Sequence, residues 1–400
     1  MQLILTEKYE KILVPFFNMN KSLDAMEAAA GHPQIRLHAI DGLRGTAALM
    51  VAVCHFQTFF SPHPFLDSGW IAVSLFFLLS GIVMSHVYEQ KILQQKVKLS
   101  EFLAHRIARL WPLHVFAMLT VLVVELGHGY LSPRQDALNW DSAVYTFFLN
   151  LTLLQNAGLF FGRDGGATWD GNGWSLTPEV VLNLLWFYWL AKRRLSSGLL
   201  VVVVLVCAVV QFNFGGQLNG TILSSRIVAA TIPYGIGCLV YRHFLQREAW
   251  QFLSPRLWNV LGVFTFLLAV AALAGGGGGD KSSVYFLWHN WDWLLVLFVF
   301  PALTVIALIE GTLLNRFFSS PPLAFLGYIS YSVYLMQYQV AKPLGLLRPW
   351  FTAHAILPWL GVIFLVTLCT VSYFIYWWVE TPTRKFLRRP LEALFARVCD

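Results

Sequence analysis

The chain has 400 residues, of which 57% are hydrophobic and only 12% charged, with a formal net charge of +7. Soluble domains are roughly a quarter charged, so a soluble globular protein is excluded. The positive charge sits in clusters between apolar runs, which makes it a signal of membrane topology, and no nucleic-acid partner is expected.

In chain order, residues 1–37 read as a short cytosolic extension. Leu3, Ile4, Ile12, Leu13, Phe16 and Phe17 give it a weakly apolar face suited to lying on membrane lipid. Lys8 and Lys11 have no long apolar core beside them, so a cleavable signal peptide is not expected. Apolar runs of spanning length follow at 40–60, 69–88, 110–127, 173–191, 199–214, 224–241, 257–274, 288–309, 323–341 and 355–379. The run 143–161 is apolar too, but counting it as a span spoils the charge pattern, so it is read as re-entrant or interfacial. The ten-residue alternation of an outer-membrane barrel is absent. The expected fold is an all-α polytopic membrane protein of about ten transmembrane helices. With an inner N-terminus, most of the 28 Lys and Arg fall on the inner side, including Lys91, Lys96, Lys98, Lys192, Arg193, Arg194 and the cluster from Arg384 to Arg397. Both termini are therefore expected in the cytosol. Three parts are expected: the extension 1–37, a membrane unit over 38–385 and a cytosolic tail over 386–400. Gly275 to Gly279 reads as a flexible outer loop. The cysteines at 54, 207, 238, 369 and 399 have no spacing that suggests a disulfide framework or a metal site.

Several spans carry polar residues at a cost that asks for a reason. In the first, Asp41, Arg44 and His55 occur within one helix. Eleven helical steps from Arg44 to His55 make about three turns, which places both on one face roughly 16 Å apart. Asp41, three positions before Arg44, is close enough to pair with it. An interfacial ion pair with a hydrogen-bonded core histidine reads the same stretch without function. In the second span, Ser80-Gly81 lies inside the aromatic run of Phe76 and Phe77; it permits close approach of a helix or of a narrow ligand. Arg106 and Arg109, one turn apart at the end of an inner loop, suit a polyanion, since guanidinium groups bind phosphates bidentately; a positive-inside lipid anchor is the alternative, and the Trp-Pro helix start that follows favours the ligand. Trp111-Pro112 then reads as a helix start. On the outer side, Trp174 and Ser175 precede Thr177-Pro178-Glu179. Thr177 is read as the N-cap, with Glu179 either complementing the helix dipole or lining a cavity. Late in the chain, Tyr331, Tyr334 and Gln337 put polar groups into a spanning helix. Glu380-Thr381-Pro382-Thr383-Arg384 reads as a helix stop at the inner surface.

Together these residues resemble the acyltransferase-3 family of integral membrane acyltransferases, over about residues 38–385. The likeness rests on Arg44 and His55 with ten residues between them, Phe76-Phe77-x-x-Ser80-Gly81, Arg106-x-x-Arg109-x-x-Pro112, Trp174 to Glu179, Ser330 to Leu335, and the Glu380-x-Pro382-x-Arg384 exit. Gln337 stands where the family often has a histidine, and Ile82 replaces its usual phenylalanine. The resemblance implies transfer of an acyl group, often acetyl from acetyl-CoA, to a hydroxyl of a saccharide or of a small molecule such as a macrolide. It implies no permanently bound cofactor; acyl-CoA is a co-substrate. A bacterial cytoplasmic (inner) membrane is the expected location. On this reading Arg106 and Arg109 hold the CoA phosphates with Arg44 at the tunnel mouth, and the pantetheine arm threads past Phe76, Phe77, Ser80 and Gly81. His55 is the general base, Asp41 or Glu179 orients partners, and Trp174, Ser175, Tyr331, Tyr334 and Gln337 line the acceptor cavity. A covalent route through His55 or Ser80 stays open, as does a proton-coupled transporter of a lipid-linked or small polar substrate, in which Arg44 and His55 form a relay.

Overall fold

A computed structural model describes residues 38–60, 64–131, 140–155, 173–214, 225–246, 253–275 and 290–399. The extension 1–37 and the loop after Gly275 lie outside them. The described residues are helical, with no strand among them. Among the described residues, five helices are long and apolar enough to cross a membrane: Ser68–Leu93, Leu99–Glu125, Ser197–Phe214, Pro255–Ala274 and Leu357–Val398. The apolar helix Asp292–Leu308 is shorter.

Two less apolar helices form the seam on which the rest is hung. Helix α1 is His38–His55 and begins with small residues, Ala39, Gly42, Gly45, Ala47 and Ala48, on its buried face. Small residues let backbones approach closely. Its partner, a 25-residue helix over Pro321–Gly345, answers with Ala324 and Gly327. A side chain at Gly45 would meet Leu326 and the Gly327 backbone, and one at Gly327 would meet Asp41. His55 in turn meets Gln337, so the two helices rise in parallel. Helix α2, Ser68–Leu93, runs back against α1, with Gly69 seated on Met50 and Cys54.

Helix α3 is Leu99–Leu131, and this corrects two expectations. Pro112 lies inside the helix rather than at its start, and Arg106 and Arg109 project from helix rather than from a loop. Proline costs one backbone hydrogen bond, but the α3 residues around it are buried on one side, Ala108, Leu110, Leu113 and His114 among them, and packing carries the helix through. Helix α4, Trp140–Leu151, has 12 residues, about 18 Å, short of the roughly 30 Å apolar core. Trp111 donates to its Leu151 carbonyl at 2.8 Å and His114 Nε2 lies 2.8 Å from that of Asn150, so α4 is strapped to α3.

Helix α5, Leu176–Ala191, has Ser175 rather than Thr177 at its N-cap position, and the Ser175 side chain makes no capping hydrogen bond. The Thr177 hydroxyl is taken by the Leu153 carbonyl at 2.7 Å, which ties α5 to the segment after α4. Helix α6, Ser197–Phe214, is only 17% buried, as a lipid-facing helix must be. Helix α7, Ser225–Val240, packs on α2, where Gly81 and Gly237 each face the other helix's backbone. A π-turn at Tyr241–Leu245 follows it, from which Arg242 reaches buried Glu89 at 2.7 Å. Helices α8 (Pro255–Gly275) and α9 (290–308) cover the far side. They are followed by α10 (Leu313–Phe318), by α11, the seam helix Pro321–Gly345 already described, and by α12 (Arg348–Ala353). Helix α13, Leu357–Ile375, does not stop at Glu380. It passes through a π-turn, Tyr376–Glu380, into α14, Thr381–Cys399. Pro382 lies just after this π-turn, where the hydrogen-bond register has already shifted, so its missing N–H does not end the helix. The tail is therefore helical up to Cys399. It packs on α3, where Glu392 joins Arg388 at 2.9 Å and His105 at 3.2 Å.

Candidate active site

An open cleft lies among α1, α2, α3, α5 and α11. Ten of the expected site residues line it: Arg44, Phe76, Phe77, Ser80, Arg106, Arg109, Ser175, Glu179, Tyr331 and Tyr334. The geometry follows from helical spacing. Val73, Phe76, Phe77, Ser80, Val83 and Met84 recur at three- and four-residue intervals, so one stripe of α2 faces the cleft. Gly81, one step round the helix, faces α7 instead, where a side chain would strike the Tyr234 carbonyl. Ser80 and Gly81 thus divide the two readings: Ser80 meets the cleft and Gly81 permits the helix crossing.

The cleft has a basic end and an aromatic end. At the basic end stand Arg44, Arg106 and Arg109, with Glu179 the one carboxylate among the lining residues. Arg106 is 6% exposed and its Nη2 is ion-paired with Glu179 Oε1. That leaves Arg44 and Arg109 as the half-buried cations facing the space. Glu179 does not merely complement a helix dipole, since its carboxylate grips α3 across the cleft. At the other end the rings of Phe76 and Tyr334 meet edge to face at 5.7 Å. Tyr331 spans to α3 by donating to the Leu110 carbonyl at 2.6 Å.

Five expected residues lie outside the lining. Asp41 is buried in the α1–α11 seam beside Gly327, within electrostatic reach of Arg44. Trp174 turns its ring to Arg226, whose guanidinium sits 5.2 Å from the ring centroid. Gly81 is described above. Gln337 is fully buried, and His55 is exposed at the last residue of α1. His55 Nδ1 lies 3.2 Å from Gln337 Oε1, and Gln337 Nε2 donates to the Tyr334 carbonyl at 2.8 Å. The imidazole thus stands one side chain beyond the aromatic end of the cleft.

Sequence reasoning missed Glu380 as a site residue. It is buried, accepts a hydrogen bond from Ser332 at 3.0 Å, and its charge acts on Arg109, Arg384 and Arg44. Its signal was present: no Asp, Glu, Lys or Arg occurs between Arg348 and Glu380, so a carboxylate closing that run needed cationic partners nearby.

A three-arginine wall at one end of an apolar cleft suits a ligand with an anionic head and an apolar or neutral arm. Comparison with known proteins gives this chemistry a family. A family model described as an acyltransferase domain matches residues 37–378. Protein 2 in the picA locus of Rhizobium radiobacter is 31% identical over 197 residues, 45% of this chain and 98% of that protein. The O-acetyltransferase OatA of Staphylococcus aureus is 22% identical over 374 residues, 87% of this chain and 57% of its own length. The acyltransferase MdmB of Streptomyces mycarofaciens is 30% identical over 192 residues, 43% of this chain and 46% of its own. The chain thus spans about half the length of these two named acyltransferases. No solved structure matches. The match across most of its length shows that the chain belongs to the acyltransferase-3 family of membrane acyltransferases.

Proposed function

We propose that the protein is an O-acyltransferase that moves an acyl group, acetyl first among candidates, from cytosolic acyl-CoA to a hydroxyl of a saccharide acceptor. The observation that carries this reading is the cleft itself, where Arg44, Arg106 and Arg109 from two helices meet the Phe76, Phe77 and Ser80 stripe of a third. In this reading the ten apolar runs span a bacterial inner membrane over residues 38–385, with both termini in the cytosol, so the basic end opens on the side where acyl-CoA resides. Arg44 and Arg109 hold the CoA phosphates. Arg106, already paired, fixes Glu179 and the wall between α3 and α5. The pantetheine arm lies along Phe77 and Ser80, and the thioester passes Phe76 and Tyr334 to reach His55. His55 Nε2 takes the proton of the acceptor hydroxyl as that oxygen attacks the thioester carbonyl. The carbon–sulfur bond then breaks, the thiolate leaves, and the imidazolium returns the proton to it.

The test uses the full chain in lipid nanodiscs with carbon-14 acetyl-CoA and a panel of saccharides. Label is expected to move to a saccharide, and His55→Ala is expected to lose on the order of 10²- to 10⁴-fold in rate while CoA still binds. Full transfer by His55→Ala removes the base, and failure of the wild-type chain to bind or consume acetyl-CoA removes the donor.

The phosphate contacts have their own test. One charge-assisted hydrogen bond contributes about 1.5–3 kcal/mol, so Arg109→Ala raises the KM for acetyl-CoA about tenfold or more. The same variant leaves S-acetylpantetheine, which lacks those phosphates, unaffected. An equal loss with both donors overturns the assignment of Arg109.

A further inference from the structure

We infer that Gln337 is a positioning residue that fixes His55 in one tautomer, with the proton on Nδ1 and the lone pair on Nε2. The inference rests on the reading of His55 as base but is carried by a separate observation, the two hydrogen bonds of one buried amide.

Gln337 sits on α11 with no exposure, and its two polar atoms face different partners. Nε2 lies 2.8 Å from the Tyr334 carbonyl oxygen one turn earlier, and Oε1 lies 3.2 Å from His55 Nδ1. A peptide carbonyl only accepts. The amide must therefore present its NH₂ to Tyr334, because the flipped amide would set two oxygens face to face in a buried place. Oε1 is then committed to His55, and an oxygen without a proton demands an N–H opposite it. Nδ1 is thus the protonated nitrogen, and Nε2 is left with its lone pair at the exposed end of α1. The same bond serves the imidazolium, whose Nδ1 also carries a proton, so the ring need not turn when Nε2 gains one. A glutamine holds this arrangement at every pH, because the amide does not titrate. Its other tie, to the backbone of Tyr334, fastens the base to the residue that closes the aromatic end of the cleft.

The test reads the tautomer directly. Full-length protein in nanodiscs is treated with iodoacetate, and the His55 peptide is hydrolysed and compared with authentic Nδ1- and Nε2-carboxymethylhistidine. Wild type is expected to give the Nε2 product, since only the unprotonated nitrogen alkylates. Gln337→Leu removes the acceptor and is expected to give both products, with kcat for acetyl transfer falling about 10- to 100-fold and KM for acetyl-CoA within about twofold. Gln337→Glu keeps an acceptor oxygen at the same reach and, as the neutral acid that donates its O–H to the Tyr334 carbonyl, is expected to restore Nε2 selectivity. Nδ1 alkylation in the wild type overturns the proposal without any variant, and so does a Gln337→Leu protein with unchanged product ratio. The His55→Ala assay fails independently: if that variant transfers at full rate, the base is wrong, while the alkylation pattern still decides the tautomer.

Discussion

Replacing Arg106 with alanine is expected to destabilise the protein by about 2–4 kcal/mol. The side chain of Arg106 is 8% exposed and that of its partner Glu179 24%. Removing the cation strands a carboxylate that has already lost most of its water. The full penalty for a stranded buried charge is about 3–5 kcal/mol, and the part-exposed rim of Glu179 discounts it. The loss has a second component, because this pair closes α3 onto α5 across the cleft. Thermal unfolding in detergent should therefore begin at a lower temperature in Arg106→Ala, and binding of CoA should fail with the wall. The double variant Arg106→Met with Glu179→Leu distinguishes structure from charge. An apolar pair of similar volume is often neutral in place of a buried ion pair, so the double variant should regain the wild-type melting temperature. A double variant as unstable as the single one would show that the ion pair is not what joins these helices.

This division among the arginines was not legible in the sequence. Arg106 and Arg109 share a motif and a helix face, and nothing in their spacing says which is spent on a partner. The partner of Arg106 lies 73 positions away. The cleft was legible in outline because its residues are polar groups inside apolar runs, where their cost singles them out. Arg44, Ser80, Glu179 and Tyr331 were all found that way. Sequence placed His55 on the face of Arg44, but not that α1 ends at His55 and leaves the ring exposed beside Gln337. Helix ends were the weakest part. Pro112 and Thr177 carried local start signals, overridden by burial and by a hydroxyl taken elsewhere, and Pro382 carried an end signal that the π-turn just before it absorbs. Local signals state a preference of about 1–3 kcal/mol, and neighbouring packing outweighs that.

Gly327→Ala is expected to slow transfer on the order of 10²-fold while leaving the protein in the membrane, and the reason lies in the seam between α1 and α11. A methyl group at Gly327 would stand against the Asp41 carbonyl, and one at Gly45 against the Gly327 backbone. These neighbours are backbone, which has no rotamer to move aside. Relief must come from parting the helices along their length. Overpacking of a core usually costs about 1–3 kcal/mol where side chains can shift, and a backbone obstacle puts this case at the upper end. The functional loss exceeds the stability loss. Arg44 and His55 ride on α1, whereas Tyr331, Tyr334 and Gln337 ride on α11. A separation of about 1 Å lengthens the His55–Gln337 bond and misplaces the base against the cleft, and displacements of that size cost on the order of 10²-fold in rate. Gly127→Ala is the control, because nothing lies within 4 Å of a side chain there. It should leave both rate and expression unchanged. A Gly327→Ala protein with wild-type activity would mean that the two helices do not meet at Asp41, and with that contact would go the route from the arginine wall to the imidazole.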